Sequence, residues 1–213
     1  VRPIDELLAA DPPRAFGPGD VARRDETALA ALIYTSGTTG EPKGVMQTEA
    51  NLAANVAGCI EHLRMEPEHV FAGVIPPFHS FAVTTTVLAP VTLGARAVYL
   101  PRFSPVQLLE AIRRERVSVL IAVASMYAAL LRLTTAEAED FASIELAIAG
   151  GEALPMSLYD RFGQRYGVTI LQGYGLTETS PVVAVNRPWD NSPGSVGTSL
   201  PGVQVDVETP DGS

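Results

Sequence analysis

Hydroxyl-bearing residues, glycines and one lysine follow an apolar segment in the first fifth of the chain. The apolar run 28–34 predicts a buried strand, and the residues after it are Thr35, Ser36, Gly37, Thr38, Thr39, Gly40, Glu41, Pro42, Lys43 and Gly44. Glycines let a backbone bring its N–H groups close to a ligand. Successive N–H groups, hydroxyls and an ammonium make a concave anion site, so this order of residues predicts polyphosphate binding.

Two other interpretations of this loop remain open. An ordinary glycine-rich surface loop is the simpler one. A Walker A loop is the other, but that motif ends in Gly-Lys-Ser/Thr, whereas the triplet here is Pro42-Lys43-Gly44.

A second group of chemically useful residues lies at 172–178, in the order Gln172, Gly173, Tyr174, Gly175, Leu176, Thr177 and Glu178. The glycines permit close approach of the backbone to a ligand, and Tyr174 can lay its ring against a planar base. Thr177 offers a hydroxyl to a phosphate. Glu178 offers a hard oxygen to Mg²⁺, which binds polyphosphates through few protein ligands. In the alternative interpretation Tyr174 packs in the protein and Glu178 is a solvated charge.

The remaining candidates give weaker signals. Gly150-Gly151-Glu152-Ala153-Leu154 is a turn of small residues, and His79 stands in the loop segment 77–81. A single loop histidine is more often structural than catalytic. His62 and His69 match no motif and are expected to be solvated, and the single cysteine, Cys59, is expected to be a small buried residue on a helix.

Strands and helices alternate along most of the chain, which predicts an α/β fold with a doubly wound, mainly parallel sheet and helices on both faces. The strands are predicted at 70–75, 95–100, 118–123, 144–149 and 168–172, and the helices at about 49–63, 82–93, 104–116, 125–133 and 155–166. Ligands bind beyond the carboxyl ends of such strands. Loops 35–44, 76–81, 124–126, 150–154 and 173–179 are therefore expected to meet at one edge.

The ends of the chain differ from this middle part. Residues 1–27 are rich in Pro, Asp and Arg and are interpreted as a connector, which suggests that something precedes it. Residues 28–185 are interpreted as the α/β subdomain. Residues 186–213 are interpreted as the start of a small β subdomain, in which 203–208 alternate like a half-buried strand and 210–213 form a turn that awaits a second strand.

The bulk properties exclude some classes of function. A net charge of −9 over 213 residues argues against a nucleic-acid partner, because phosphate backbones select basic surfaces. No signal peptide or transmembrane segment is visible, although peripheral membrane contact is left open. A single cysteine is typical of a reducing compartment and favours a cytoplasmic location.

The order of residues from Tyr34 to Val45 resembles the phosphate-loop signature of the adenylate-forming superfamily: acyl-CoA synthetases, coumarate ligases, luciferases and the adenylation domains of peptide synthetases. Residues 173–178 resemble its second strong motif, 150–154 its adenine-binding turn and 77–81 the segment lining its acyl pocket. The resemblance extends over nearly the whole chain but covers only the middle of a typical member. It implies that residues 28–185 are the nucleotide- and acyl-binding subdomain, part of a large N-terminal domain. We expect the N-terminal third, the ribose-binding Asp motif, the interdomain hinge and the C-terminal catalytic Lys to lie outside this chain.

The resemblance implies ATP-dependent activation of a carboxylic acid to an acyl-adenylate with release of pyrophosphate, followed by thioester formation. It implies ATP or AMP and Mg²⁺ as cofactors, with coenzyme A or an acyl-carrier thiol as co-substrate. The implied catalytic residues are Lys43, His79, Thr177 and Glu178, of which Glu178 holds the metal. The implied nucleotide-binding residues are Thr35, Ser36, Gly37, Thr38, Thr39, Gly40, Lys43, Gly151, Glu152, Ala153, Gln172, Gly173, Tyr174, Gly175 and Thr177.

The substrate is predicted to be a plain carboxylic acid, fatty or aryl. No acidic residue lies between Val70 and Arg102, and a buried substrate ammonium without a partner would be costly. The segment 173–202 resembles most the bacterial medium- and long-chain acyl-CoA or acyl-ACP synthetases. The 213 residues alone are expected to be inactive. The rival interpretations are a non-catalytic nucleotide-binding module and a phosphotransferase with a glycine-rich loop.

Overall fold

The computed structural model describes residues 25–36 and 41–208, in two sheets and two layers of helices. The strands are β1 (Leu29–Ser36), β2 (Pro42–Thr48), β3 (Val70–Gly73), β4 (Arg96–Tyr99), β5 (Val119–Ala122), β6 (Leu146–Ala149), β7 (Ile170–Gly175), β8 (Val182–Val185) and β9 (Thr198–Ser199). The α-helices are α1 (Glu49–Leu63), α2 (Ser80–Ala82), α3 (Ala89–Leu93), α4 (Pro105–Glu115), α5 (Ala124–Leu131) and α6 (Met156–Tyr166). A π-helical segment, Val83–Leu88, joins α2 to α3, and two short 3-10 helices span Ala138–Phe141 and Thr177–Thr179.

The main sheet has seven strands in the order β4-β3-β5-β6-β7-β8-β9. Strands β3 to β7 are parallel, and β8 and β9 extend the sheet in antiparallel fashion. All four residues of β5 and all four of β6 are buried, as expected for parallel strands covered on both faces. The predicted α/β fold with a mainly parallel sheet is confirmed.

Helices cover both faces because the winding direction reverses once. The chain moves from β3 outward to β4, then returns past β3 to β5 and continues through β6 to β7. Right-handed crossovers in opposite directions place their helices on opposite faces. Accordingly α1 packs with the π-helical segment and α3, which we call the α1 layer, whereas α4, α5 and α6 pack on one another as the α4–α6 layer.

Four aromatic rings fill the interior of the α4–α6 layer. Phe162 contacts Tyr127, Phe141 and Tyr166 at ring-centroid distances of 5.3, 5.7 and 4.9 Å. The hydroxyl of Tyr127 donates to the carbonyl of Leu120 at 2.7 Å, so the one polar atom of this buried ring is satisfied. Burial raises the pKa of Tyr127 well above its usual value, and the hydroxyl remains a donor.

Local signals set the ends of α1. The Thr48 hydroxyl accepts from the Asn51 backbone at 3.2 Å, while the Asn51 side chain accepts from the Thr48 backbone at 3.0 Å. This reciprocal capping box confirms the predicted start at Thr48. The helix ends at Arg64, whose backbone is left-handed with φ of 49°.

The predicted helix 82–93 is disturbed ahead of Pro90 rather than at it. Residues Val83–Leu88 are π-helical, and Pro90, which has no N–H, lies in the first turn of α3, where the carbonyl of Thr86 accepts from the Tyr99 hydroxyl at 2.6 Å. The hydroxyls of Thr85 and Thr86 donate to the carbonyls of Phe81 and Ala82, four residues earlier. The side chains thus satisfy carbonyls in the widened turn.

Two strand predictions are wrong. Strand β1 is not a buried strand of the parallel sheet, because it pairs antiparallel with β2 in a separate two-stranded sheet, and Leu29, Leu32 and Tyr34 are exposed. Strand β2 was not predicted at all. Residues 203–208 form no strand, and Val205 and Val207 are exposed.

The prediction of solvated histidines is also wrong. His62 is buried, and its Nε2 lies 2.9 Å from the carbonyl oxygen of Val185. His69 is buried, and its Nδ1 accepts from the Glu66 backbone at 2.9 Å. Cys59 is buried on α1, as predicted. The division into 1–27, 28–185 and 186–213 stays a prediction, and much of its first and part of its last segment lie outside the described residues.

Candidate active site

A cavity of about 440 Å³ opens at the carboxyl edge of the parallel strands. Four of the five predicted loops, those following β3, β5, β6 and β7, contribute to its wall. The lining residues are Cys59, Leu63, Met65, Ile75, Pro76, His79, Ser80, Phe81, Thr85, Ile121, Val123, Met126, Ile148, Gly150, Gly151, Glu152, Gly173, Tyr174, Gly175, Leu176, Thr177, Pro181, Val182 and Val185. The structure therefore brings His79, Gly151, Glu152, Gly173, Tyr174, Gly175 and Thr177 together, as the sequence predicted.

The cavity has a polar, open end and an apolar, closed end. Tyr174, 47% exposed, lies at the open end with His79 and Glu152, and we call this end the mouth. Cys59 and Leu63, 1% and 3% exposed, lie at the closed end, which we call the floor. A ligand that fits both ends has a polar head and an apolar tail.

Thr177 is held from two sides at the mouth. Its hydroxyl accepts from the hydroxyl of Ser80 at 3.1 Å, and its carbonyl accepts from the amide of Gln47 at 2.7 Å. Gln47 is only 1% exposed, and its Oε1 has no hydrogen-bond partner among the described residues. These contacts join the loop after β7 to the loop after β3 and to strand β2.

The turn after β6 is shaped by its neighbours as well as by its glycines. A Cβ at Gly150 would lie 2.8 Å from the ring of Phe81, so only glycine fits there. The carboxylate of Glu152 accepts from the backbone N–H and the hydroxyl of Ser125, at 3.0 and 3.2 Å. The Glu152 side chain thus joins the first turn of α5 to the mouth.

His79 and Tyr174 expose rings at the mouth. His79 is exposed, precedes α2, and its ring lies 4.6 Å from that of Phe78 at a tilt of 45°. Neither the ring of His79 nor that of Tyr174 makes a hydrogen bond among the described residues, which leaves both available to a ligand.

The role predicted for Gly175 differs from the one the structure gives it. A Cβ at Gly175 would lie 2.1 Å from the carbonyl oxygen of Pro181, so glycine permits the close approach of the chain that leads into β8, and its part in nucleotide binding stays a prediction. The backbone of Gln172 also has a structural role, because its carbonyl accepts hydrogen bonds from the backbone N–H and the side-chain amide of Asn186. Its part in nucleotide binding stays a prediction.

Loop 35–44 joins β1 to β2 in the separate antiparallel pair, so it does not follow a strand of the parallel sheet, and its predicted place at the carboxyl edge of that sheet stays a prediction. Thr35 pairs with Lys43 across that pair, and Lys43 is exposed. Gly37, Thr38, Thr39 and Gly40 lie outside the described residues, as does the side chain of Ser36. The hydrogen bond from Gln47 to Thr177 connects this strand pair with the cavity mouth.

Glu178 is exposed one residue beyond Thr177, and Ala153 is exposed beside Glu152. Among the described residues no three His, Cys, Asp or Glu side chains form a cluster that could hold a metal ion. The exposed carboxylate of Glu178 fits a magnesium ion that arrives with a polyphosphate, because Mg²⁺ keeps several waters and needs only one or two protein carboxylates.

Several residues at the cavity carry no motif of their own. Gln47, Ser80 and Ser125 each hold a predicted site residue, and Cys59, Leu63 and Met65 build the floor. Gln47 stands between Met46 and Thr48 on a strand that the sequence did not predict, so its burial gave no sequence signal. The others depend on contacts between residues far apart in sequence.

Comparison with known proteins assigns the family. The sequence profile described as AMP-binding enzyme matches residues 3–213. The chain belongs to the AMP-binding enzyme family. This family is the adenylate-forming superfamily, so the resemblance of the loop motifs is confirmed.

Relatives of this AMP-binding family member include CoA ligases for different acids. The mitochondrial malonate–CoA ligase of Homo sapiens is 36% identical over 195 residues, which are 84% of this chain and 34% of that protein. The long-chain-fatty-acid–CoA ligase of Bacillus subtilis is 33% identical over 185 residues, which are 85% of this chain and 33% of that protein. The crystal structure of apo MatB from Rhodopseudomonas palustris matches with a TM-score of 0.84 and 30% identity over 93% of this chain and 38% of that one.

The chain thus spans about a third of the length of the relatives it matches. No helix in the described ranges is long and apolar enough to cross a membrane. The predicted cytoplasmic location stays a prediction, and one of the relatives above carries a mitochondrial name.

Proposed function

We propose that the protein containing this chain is an AMP-forming acid–thiol ligase. It activates a carboxylic acid that has one carboxylate and an apolar tail, then transfers the acyl group to the thiol of coenzyme A or of a carrier protein. The observation that supports this most directly is the cavity, whose polar mouth and apolar floor match the two ends of such an acid. The CoA-ligase names of the relatives support the reaction class.

The apolar floor argues against a second charge on the substrate. Among the described lining residues none is Lys, Arg or Asp, and the carboxylate of Glu152 is already bonded to Ser125. At the floor, the distal carboxylate of malonate, or the ammonium of an amino acid, would lose its hydration without gaining a charged partner among the described residues. The cavity therefore supports a substrate like the one named for the long-chain-fatty-acid–CoA ligase rather than the one named for the malonate–CoA ligase.

In the first step a carboxylate oxygen attacks the α-phosphorus of ATP, and the bond to pyrophosphate breaks. The hydroxyl of Thr177, fixed by Ser80, offers a hydrogen bond to a phosphate oxygen, and the ammonium of Lys43 offers a positive charge. Glu178 would hold a Mg²⁺ ion bound with the nucleotide, which would supply further charge neutralisation. Catalysis of this kind depends on positioning and on charge neutralisation.

In the second step a thiolate attacks the acyl carbon, and AMP leaves with its electron pair. The exposed ring of Tyr174 offers a flat surface for the adenine, which holds the leaving group at the mouth. His79, exposed on the loop after β3, would contact the reacting carboxyl group or the incoming thiol.

The test is a substrate panel with the full-length protein, using pyrophosphate release with and without coenzyme A as the readout. Straight-chain fatty acids and aryl acids should give kcat/KM at least ~10-fold above malonate and above phenylalanine, because a buried unpaired charge is disfavoured by more than a lost methylene. Malonate or an amino acid as the best substrate would overturn the proposal. ATP binding without pyrophosphate release, or ADP as the product, would replace it with one of the rival functions.

The expectation that residues 1–213 alone are inactive is tested in the same assay. The isolated chain should release pyrophosphate far more slowly than the full-length protein, since the ribose-binding Asp and C-terminal Lys implied by the family match nothing within it. A comparable rate from the isolated chain would contradict this.

A further inference from the structure

Helix α1 forms the floor of the cavity through Cys59, Leu63 and the following Met65. All three are nearly inaccessible, at 1%, 3% and 4% exposure, and so are Ile121 of β5 and Val185 of β8, which also line the cavity. An apolar tail that enters at the mouth would reach these residues last. The position of α1 therefore sets the depth of the cavity.

Two buried polar side chains fasten α1 to β8. The Asn55 amide donates to the carbonyl of Val182 at 2.7 Å and accepts from its backbone N–H at 3.1 Å. His62 Nε2 lies 2.9 Å from the Val185 carbonyl, which only accepts, so Nε2 carries the proton. Moving α1 away from β8 would leave these groups unpaired in the interior, which is strongly disfavoured.

Cys59 lies between these two fastenings. Asn55, Cys59 and His62 are separated by four and three residues, so they share one face of the helix. Because the helix is fixed on both sides of Cys59, it cannot retreat to admit a longer ligand. Burial also raises the pKa of the Cys59 thiol to about 12, so this side chain is a neutral, apolar part of the wall.

We infer that Cys59 sets the maximum length of the acyl tail that the cavity accepts. The inference rests on the proposed function, because it requires an acid with an apolar tail. It assigns to Cys59 a role in specificity and none in the chemical steps.

The experiment uses the full-length protein and its variants Cys59→Ala and Cys59→Leu. For each, kcat/KM is measured by pyrophosphate release over the even-numbered saturated acids from hexanoate to hexadecanoate. Cys59→Ala should move the optimum toward longer acids. Cys59→Leu should lower kcat/KM by ~10-fold or more for the longest acid that the native protein uses, since one methylene of excess or shortage changes kcat/KM by about that factor.

The shortest acids should change less than threefold in either variant, because their tails end before the floor. Ala57→Leu is the matched control, since Ala57 lies on the exposed side of the same helix. This control should keep the native chain-length profile, and melting temperatures of all variants are recorded. If Cys59→Leu does not fold, Cys59→Ala decides the question alone.

The outcomes separate the two hypotheses. If the native protein uses aliphatic acids but Cys59→Ala keeps the native profile, Cys59 does not limit length, while the proposed function stands. If the native protein releases no pyrophosphate with any aliphatic or aryl acid, the proposed function fails. A shift of the optimum in opposite directions by Cys59→Ala and Cys59→Leu supports the inference.

Discussion

The two faces of the main sheet are covered in different ways. In the α4–α6 layer the rings of Tyr127, Phe141, Phe162 and Tyr166 pack on one another, and Phe162 is completely buried. In the α1 layer the helix leaves a cavity and is attached to β8 through the side chains of Asn55 and His62. A filled interior derives its stability from contact area, whereas a layer that borders a cavity can use hydrogen bonds to hold its helix in place.

The largest effect is expected from emptying the filled layer. Phe162→Ala in the full-length protein should lower the free energy of unfolding by roughly 3–5 kcal/mol, because it removes a buried ring that three other rings contact. Thermal denaturation measures the loss. Phe78→Ala, which changes a ring that is 71% exposed, is the control and should shift stability little. Equal losses in the two variants would contradict the account of the aromatic core.

The next-largest effect is expected at the mouth, where a substitution should change the rate of adenylation rather than the stability of the fold. Glu178→Gln keeps the side-chain size and removes its charge, so in the full-length protein adenylation should slow by about two orders of magnitude, as loss of a transition-state electrostatic contact typically does. The Mg²⁺ concentration needed for activity should rise, and the melting temperature should stay unchanged. Pyrophosphate release measured against Mg²⁺ concentration tests this.

The matched control for that variant is Glu61→Gln, which removes the charge of another exposed glutamate, on the outer side of α1. It should keep the native rate. If Glu178→Gln folds normally and adenylates at the native rate with unaltered Mg²⁺ dependence, Glu178 is a solvated surface charge.

A smaller effect should follow from loosening the α1 layer. Asn55→Ala leaves the N–H and carbonyl of Val182 without their side-chain partner, which should lower the free energy of unfolding by roughly 1–3 kcal/mol. It should also expose Cys59 more often. With its pKa raised to about 12, the native thiol should react very slowly with a maleimide at pH 8, and the variant should react faster.

Gln204→Ala, a change at an exposed residue, is the control for Asn55→Ala and should leave both quantities unchanged. Native labelling rates and native stability in Asn55→Ala would show that the fastening to β8 does not hold α1 in place.

The smallest effect is expected at the rim of the filled layer. The Arg113 guanidinium bonds both carboxylate oxygens of Asp140, at 2.6 and 2.7 Å, and lowers the pKa of Asp140 from 3.8. A carboxylate with a lowered folded pKa stabilises the fold above its unfolded pKa, and this contribution is lost as the pH falls through the folded value. Asp140→Asn should therefore melt slightly lower than the native protein at pH 7.

The difference should be on the order of one or two degrees, since such an exposed ion pair contributes little. It should shrink as the pH falls below 3.8, because both proteins then lack the charge. Melting curves from pH 7 to pH 2 follow this change, and a difference that stayed constant over that range would assign the effect to something other than the ion pair.

The sequence predicted the filled layer and the parallel strands better than the strand pair beside them. Strands β5 and β6 are short apolar runs flanked by turn residues, and the structure buries them completely. The run 28–34 has the same composition, yet β1 pairs with β2 outside the main sheet. Apolar composition alone does not say which partner a strand will find, because pairing is decided by distant parts of the chain.

The site was predicted in the same uneven way. The loops that carry Glu152 and Thr177 follow predicted parallel strands, so their meeting at one edge could be expected. The attachments that fix them could not, since Gln47 bonds Thr177 across 130 residues and Asn55 bonds Val182 across 127. His62 was misplaced for the same reason, because the carbonyl that draws it into the interior lies on β8.

Trp189 is the only tryptophan among the 213 residues, and the Arg64 guanidinium lies 4.2 Å from the centre of its indole. Arg64 is the residue at which α1 ends, and Met65 of the cavity floor follows it. A charged group stacked on an indole alters its fluorescence, so the emission of this chain reports the position of one helix end. Because Asn55 and His62 fix α1, titration with a nonfluorescent fatty acid should leave this emission unchanged, and a change would show, without a label, that the helix end beside the floor has moved.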